Sequence, residues 1–327
     1  MRRRTFIRGA GAALAGIVAA PAVLAQGNWP QPGRTIRVIV PWPPGAANDA
    51  LGRLLAQRLQ EKLGATTVVE NRVGGAGLVG TSAVIQAAPD GYTLLASAFN
   101  TAVMPLVLRG ANFDPETDLE VVARTARAPL VLIMTAARPQ QTLAQVVEAA
   151  KASPQDWAIA ISSLGSAGHL ATIEFNRRIG ADLQLVPYRG TTPALTDIMG
   201  GNVQLLIDPS FALLPAARGD KARALGIATA QRSPLAPEVP TMAEAGLPGY
   251  EFESWYGIWA PKGTPAEIRE RIGTLMRETM SDPEIAQRLK NQVLEPVTES
   301  VDETKRFIAA EIVRARELLR SVKFEPS

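Results

Sequence analysis

The chain contains no cysteine. That excludes disulfides, thiolate metal sites and cysteine nucleophiles together, and leaves the redox compartment unmarked. Histidine occurs once, as His169, so any metal site would rest mostly on carboxylates. No G-x-S-x-G elbow is present at Ser163 or Ser166, since neither has glycine two residues before it. Beyond residue 25 no apolar run approaches the ~20 residues that span a bilayer. A basic stripe is missing as well. The 34 basic and 31 acidic residues sum to +3, but residues 1 to 25 carry four arginines and no acid, which leaves 30 against 31, or −1, for the remainder. This balance argues against a nucleic-acid partner.

What is present begins with the N-terminus. "MRRRTFIRGAGAALAGIVAAPAVLAQ" has its arginines first, then a mildly apolar Gly/Ala-rich segment from Gly9 to Leu24, then the small residue Ala25. The pattern predicts an export signal over residues 1–25, removed near Ala25. Arg3 and Arg4, followed by Thr5, Phe6, Ile7 and Arg8, fit the twin-arginine type; an ordinary secretory signal with paired arginines is the alternative. Both predict an exported chain.

A length of 327 residues suggests about two domains. Strand-like and helix-like patterns alternate, which is the α/β signature. "TIRVIVPW" (35–42) is a β-branched run, and "DALGRLLAQRLQEKLG" (49–64) spaces Leu51, Leu54, Leu55, Leu59 and Leu63 as a helix that stops at Gly64. "TTVVE" (66–70) reads as strand, "TSAVIQAAPDG" (81–91) as a short helix and stop, and "YTLLAS" (92–97) as strand. The order recurs between Trp157 and Ser210, with Gly180 in the place of Gly64 and "YRGTTPA" (188–194) in the place of "NRVGGAG" (71–77). The consequence is two similar lobes.

Two such lobes would face each other with the loops after their strands around a shared crevice. Those loops are "PWPPGAAND" (41–49), "SAFNT" (97–101), "SSLGSAG" (162–168), "YRGTT" (188–192) and "DPS" (208–210). Small side chains let backbone N–H groups approach a ligand, and a helix N-terminus beyond each loop adds partial positive charge. That chemistry suits an anion, most simply a carboxylate. After Gly263 the chain reads as helical support for the first lobe, with caps expected at "TPAE" (264–267), "SDPE" (281–284) and "SVDE" (300–303).

Ser166 and His169, three residues apart, fall on one side of a helix's first turn, where Ser166 can cap the backbone. Three readings stand: a capped helix start facing a ligand, a nucleophile with its base, and a structural turn around a satisfied histidine. Other positions carry two readings each. Asp49 complements the helix start behind it or touches ligand; Arg189 is a counter-charge or a solvated loop residue. Asp208 accepts from a ligand or fixes the loop before Pro209, and Trp255 and Tyr256 pack near a hinge or stack on ligand.

"VIVPWPPGAAND", "ENRVGGAG", "APDGYTLL", "GSAGHLA", "VPYRGTTPALTDIMGG" and the proline-punctuated stretch from Ala224 to Pro265 occur in an order that resembles the Bug family. These are the extracytoplasmic substrate-binding proteins of tripartite tricarboxylate transport systems. The resemblance runs from about Thr35 to the C-terminus. It implies an α/β, two-lobed, clamshell-like periplasmic binding protein, each lobe built around a central sheet. Residues 26–128 with 250–327 would form lobe 1, and residues 129–249 lobe 2.

The resemblance further implies a monomer without cofactor or metal that captures a small carboxylate without reaction. The closed form would dock on membrane permease subunits. In the family, residues matching Pro44, Gly45, Ala46, Ala47 and Asn48 hold a carboxylate through backbone amides and ordered water. Those matching Ser163, Gly165, Ser166 and His169 form the opposing helix start. Ser97, Asn100 and Thr101, then Arg189, Gly190 and Thr191, then Asp208 and Ser210, match positions bordering the same cleft. The first loop departs from the usual P-F-P-P-G-G followed by Thr or Ser, with Trp42, Ala46 and Asn48 as the changes. A bulkier or more aromatic carboxylate follows, and a left-handed backbone at Ala46 would cost ~1 to 2 kcal/mol. An exported enzyme using Ser166 or Asp208, or a ligand sensor feeding a membrane receptor, are the alternatives.

Overall fold

β1 (Thr35–Val40), α1 (Ala47–Leu63), β2 (Thr66–Asn71), α2 (Leu78–Ile85) and β3 (Thr93–Ala98) follow one another in the computed structural model, which describes residues 29–326. The export signal expected at 1–25 lies outside the described residues. β1 pairs in parallel with β2 on one side and β3 on the other. A parallel strand is covered on both faces, and its sequence shows it. Ile36, Val38 and Val40 are buried in one cluster with Leu51, Leu54, Leu55 and Leu59 of α1, while Ile39 belongs to a second cluster with Leu95. Gly64 ends α1 at φ 64°, a left-handed position that glycine adopts without a Cβ penalty.

The chain continues through α3 (Phe99–Val107), β4 (Leu119–Thr135), α4 (Leu143–Ala152), β5 (Ala158–Ile161), α5 (Ala167–Ile179), β6 (Gln184–Pro187), α6 (Thr191–Gly200), β7 (Leu205–Pro209), α7 (Ser210–Ala217) and β8 (Ala222–Ile227). It closes with β9 (Glu253–Pro261), α8 (Ala266–Ser281), α9 (Pro283–Asn291), β10 (Glu295–Pro296) and α10 (Val301–Ser321). The repetition in the sequence is a repetition of topology. Strands run β2-β1-β3-β9 in the first unit and β6-β5-β7-β4 in the second, and in each the first three are parallel and the fourth antiparallel. Gly180 ends α5 at φ 65°, as Gly64 ends α1.

β4 joins the two units. Its residues 119–129 pair with β9, whereas residues 130–135 lie between β7 and β8. The return crossing is beside it: the Leu130 N–H donates to the Phe252 carbonyl at 3.2 Å and the Phe252 N–H to the Ala228 carbonyl at 3.0 Å. The molecule is thus a mixed α/β protein of two lobes, connected by neighbouring chain crossings. Among the described residues no helix is long and apolar enough to cross a membrane.

The C-terminal helices brace this frame, with Ile272 and Met276 of α8 buried against the β1–α1 cluster. Their caps differ from expectation at two of three places. Ser300 forms the full capping box with Glu303. At α9 the cap is Asp282, accepting from the Glu284 and Ile285 amides, and not Ser281, whose hydroxyl donates to Arg277. At α8 the Thr264 hydroxyl turns away to donate to the Pro261 carbonyl at 2.7 Å, leaving Pro265 at the N-cap. The Pro261 carbonyl at the strand end, which also accepts from the Thr264 N–H at 3.2 Å, is the acceptor that draws the threonine hydroxyl away from the helix start.

Candidate functional site

The strand ends of both units open onto a cavity of about 650 Å³. Its floor is contributed by Ser254 and Tyr256 of β9, at the crossing between the lobes.

From the first lobe come Pro44, Gly45, Ala46, Ala47 and Asn48, with Trp42 beside them. Gly45 takes the left-handed conformation, φ 89°, and Ala46 is extended at φ −76°, so the strain anticipated at Ala46 does not arise. Asp49 pins this loop from behind. Its carboxylate accepts from the Gly45 N–H at 3.0 Å, Arg53 at 2.9 Å and Asn71 at 3.0 Å, and it does not line the cavity. Burial pushes Asp49 upward, but the bonds to Arg53, Gly45 and Asn71 outweigh it and hold the group below its ordinary value.

Ala98 and Asn100 complete the first lobe's wall. The side-chain N–H₂ of Asn100 is buried without a protein acceptor. Ser97 and Thr101 are behind the wall, the Thr101 hydroxyl donating to that of Ser97 at 2.8 Å.

From the second lobe come Ser162, Ser163, Ser166, Ala167 and Gly168. The Ser166 hydroxyl caps α5 by accepting from the His169 N–H at 3.0 Å. The His169 ring points away from the cavity, its Nδ1 accepting from the Gly165 N–H at 3.1 Å and its edge against Phe324. Burial pushes the imidazole down to about 4, so it is neutral at pH 7. This pair is therefore a helix start built on a buried histidine, with the serine hydroxyl and ring nitrogen engaged separately. Neither Gly165 nor His169 reaches the cavity.

Arg189, Gly190 and Thr191 form the next wall, and Asp208 the next. Asp208 is only 1% exposed and accepts from the Ser162 hydroxyl at 2.9 Å and from the Thr191 hydroxyl. Burial raises it to about 6, a rise those two hydroxyls moderate. Ser210 turns inward, donating to the Val293 carbonyl at 3.3 Å. Trp255 is core, packed edge-on against Phe99 with centroids 5.9 Å apart, whereas its neighbour Tyr256 reaches the cavity. Leu195, Phe211 and Ala212 supply an apolar side for which the sequence held no signal.

The electrostatics follow from what surrounds this space. The starts of α1, α3, α5, α6 and α7 all contribute lining residues, so five helix N-termini present partial positive charge to it. Four of them, at Ala46, Ala98, Gly190 and Pro209, have no side-chain cap. Away from the cavity, α4, α9 and α10 are capped by Thr142, Asp282 and Ser300, whereas α2 and α8 have no side-chain cap. Arg189 and Asp208 are the charged lining side chains among the described residues. Such a cavity can hold an anion through backbone N–H groups, with little charge from side chains. No cluster of three or more acidic or histidine side chains suited to a metal occurs among the described residues.

Known proteins resemble this chain in sequence and in fold. BugT of Bordetella pertussis is 37% identical over 285 residues, 86% of this chain and 87% of that protein. The structure of R. palustris Rpa4515 with adipate superposes with a TM-score of 0.85 at 34% identity, covering 92% of this chain and 100% of that one. The periplasmic binding protein BugD superposes with a TM-score of 0.82 at 28% identity, covering 91% and 100%. The sequence model of the tripartite tricarboxylate transporter family receptor matches residues 51–324. That span takes in four of the five cavity loops and both halves of β4, and the chain belongs to this receptor family.

Proposed function

We propose that the chain is a periplasmic solute-binding protein that captures a small carboxylate in the cavity between its lobes and releases it unreacted. The convergence of five helix N-termini, four without side-chain caps, on a space with one cationic side chain is the observation that carries this reading. Adipate in Rpa4515 supports the ligand class. The separate engagement of Ser166 and His169 supports capture over catalysis.

The lobes are residues 26–128 with 250–327, and 129–249; the shift of β4 from β9 to β7 between Pro129 and Leu130 supports that division. A ligand touching both lobes favours the closed arrangement, the crossings at 129–130 and 252–253 acting as hinge. The closed monomer then delivers its ligand to the permease subunits of a tripartite tricarboxylate-type transporter, after export directed by residues 1–25.

A thermal-shift screen against di- and tricarboxylates, aromatic acids and amino acids tests this. Saturation at about a hundred times Kd adds ~2.7 kcal/mol of stability. A shift with one acid, recovered chemically unchanged, is the expected result. No shift with any acid, or consumption of the acid, would remove the reading.

A further inference from the structure

Asp208 is the one acidic side chain on the cavity wall, and no ion pair to it occurs among the described residues. A carboxylate has about four acceptor sites, and Ser162 and Thr191 fill two. Gly168 closes in behind it, since a Cβ there would lie 2.9 Å from Asp208 Oδ1 and 2.3 Å from the Ile207 carbonyl oxygen. Asp208 is 1% exposed and lines the cavity, so the cavity is the direction from which a further donor would reach it. A buried negative charge in a site for anions opposes an acid that brings no donor.

We propose that Asp208 makes this site selective for carboxylates that also carry an ammonium or hydroxyl group, which donates to the Asp208 carboxylate while the acid group takes the helix N-termini. The proposal rests on reading the cavity as a carboxylate site. It accounts for a feature that capture alone leaves unexplained, namely an acid retained where every other lining group is neutral or cationic.

The same contact sets a pH dependence. Asp208 is raised to about 6 by burial. A ligand that donates to it favours its ionised form, so affinity is full above about 6 and is lost as pH falls through that value. An acid without a donor favours the protonated form, and its affinity changes in the opposite direction.

Titratable and charged groups on the elements around β7 do not obscure this. Arg189 and Tyr256 share the cavity, and burial raises Tyr256 beyond the range tested. On α5, His169 is neutral and Glu174 is paired with Arg177 and Arg178. Asp197 of α6 accepts from Tyr188. On β4, Arg124 and Arg127 pair with Glu253, Glu295 and Glu299, and Glu120 pairs with Arg269.

The test is isothermal titration of the protein with matched series at about pH 7.5 and about pH 5.5. The probes are succinate, malate and aspartate; adipate, 2-hydroxyadipate and 2-aminoadipate; and benzoate, 3-hydroxybenzoate and 3-(aminomethyl)benzoate. In the series that binds most tightly, a donor-bearing member should exceed its parent roughly ten- to hundredfold at the higher pH, and less at the lower. Asp208→Asn should bring the members to within about threefold and flatten the pH dependence. Thr191→Val, which removes one support of the carboxylate, should weaken the preference in the same direction. Ligand-free unfolding of both variants separates a lost preference from a lost fold. A parent acid that binds as tightly as its donor analogues at the higher pH, where all the acids are fully ionised, overturns the proposal and leaves the carboxylate reading standing. No binding by any of the acids overturns both.

Discussion

Asp208→Asn removes a charge to which no ion pair occurs among the described residues, and its effect on stability can be worked out with its sign. The carboxyl titrates at about 6 in the folded chain against an ordinary 3.8. Between those values the folded state binds more protons than the unfolded state, so the parent protein gains stability as pH falls from about 6 toward 3.8. Above about pH 6.5 it carries the whole penalty, about 3 kcal/mol. The asparagine variant has no such proton to exchange. Its stability relative to the parent should therefore rise by about 2.4 kcal/mol between about pH 4 and about pH 7.5, whatever constant cost the substitution adds. The lone histidine titrates in both proteins and cancels. Urea unfolding of parent and variant at a series of pH values reads the difference directly. Two curves that run parallel across this range would refute the account, because they would mean that Asp208 is ionised without penalty and has a counter-charge already.

His169 should show the opposite slope: with its ring pushed down to about 4, the folded state binds fewer protons below 6.5, and stability is lost as pH falls. The parent should lose about 3 kcal/mol more than His169→Gln between about pH 7 and about pH 4, read by the same unfolding series; a constant difference would contradict the buried neutral ring. Asp49→Ala frees the Gly45 N–H and Asn71, so it should weaken carboxylate binding about tenfold in titration calorimetry although Asp49 lies outside the cavity. Gly168→Ala places a Cβ 2.3 Å from the Ile207 carbonyl oxygen, forcing α5 away from β7. It should lower both stability, by about 1 to 3 kcal/mol, and affinity. Gly64→Ala meets nothing within 4 Å but must hold φ 64°. It should cost ~1 kcal/mol in unfolding experiments and leave affinity intact.

The repeated β-α pattern was legible because buried parallel strands are continuous apolar runs and helices stop at Gly64 and Gly180. The role of β4 was not. Its 17 residues form one strand although charged positions such as Arg124 and Arg127 interrupt the first part and 130–134 is wholly apolar, and only long-range pairing reveals that one end belongs with β9 and the other with β7. The five loops were legible from their small residues, but the facing of single side chains within them was not. Asn100 reaches the cavity while Thr101, one helical position on, turns to Ser97. Ser210 and His169 likewise start helices at the cavity and point inward. Ser254 and Tyr256 arrive on β9 from far along the chain, with no local motif to mark Ser254. The Thr264 cap failed because a nearby carbonyl competed for its hydroxyl, a contact set by tertiary position.

The measurement that bears most directly on the central claim is a crystal structure of the protein with the carboxylate that stabilises it most in the thermal screen. The account predicts the acid group in the cavity, with oxygens about 2.7 to 3.2 Å from backbone N–H groups of the Gly45–Asn48 loop and of a helix start in the second lobe. A carboxylate held by Arg189 alone, or bound to one lobe without the other, would contradict it.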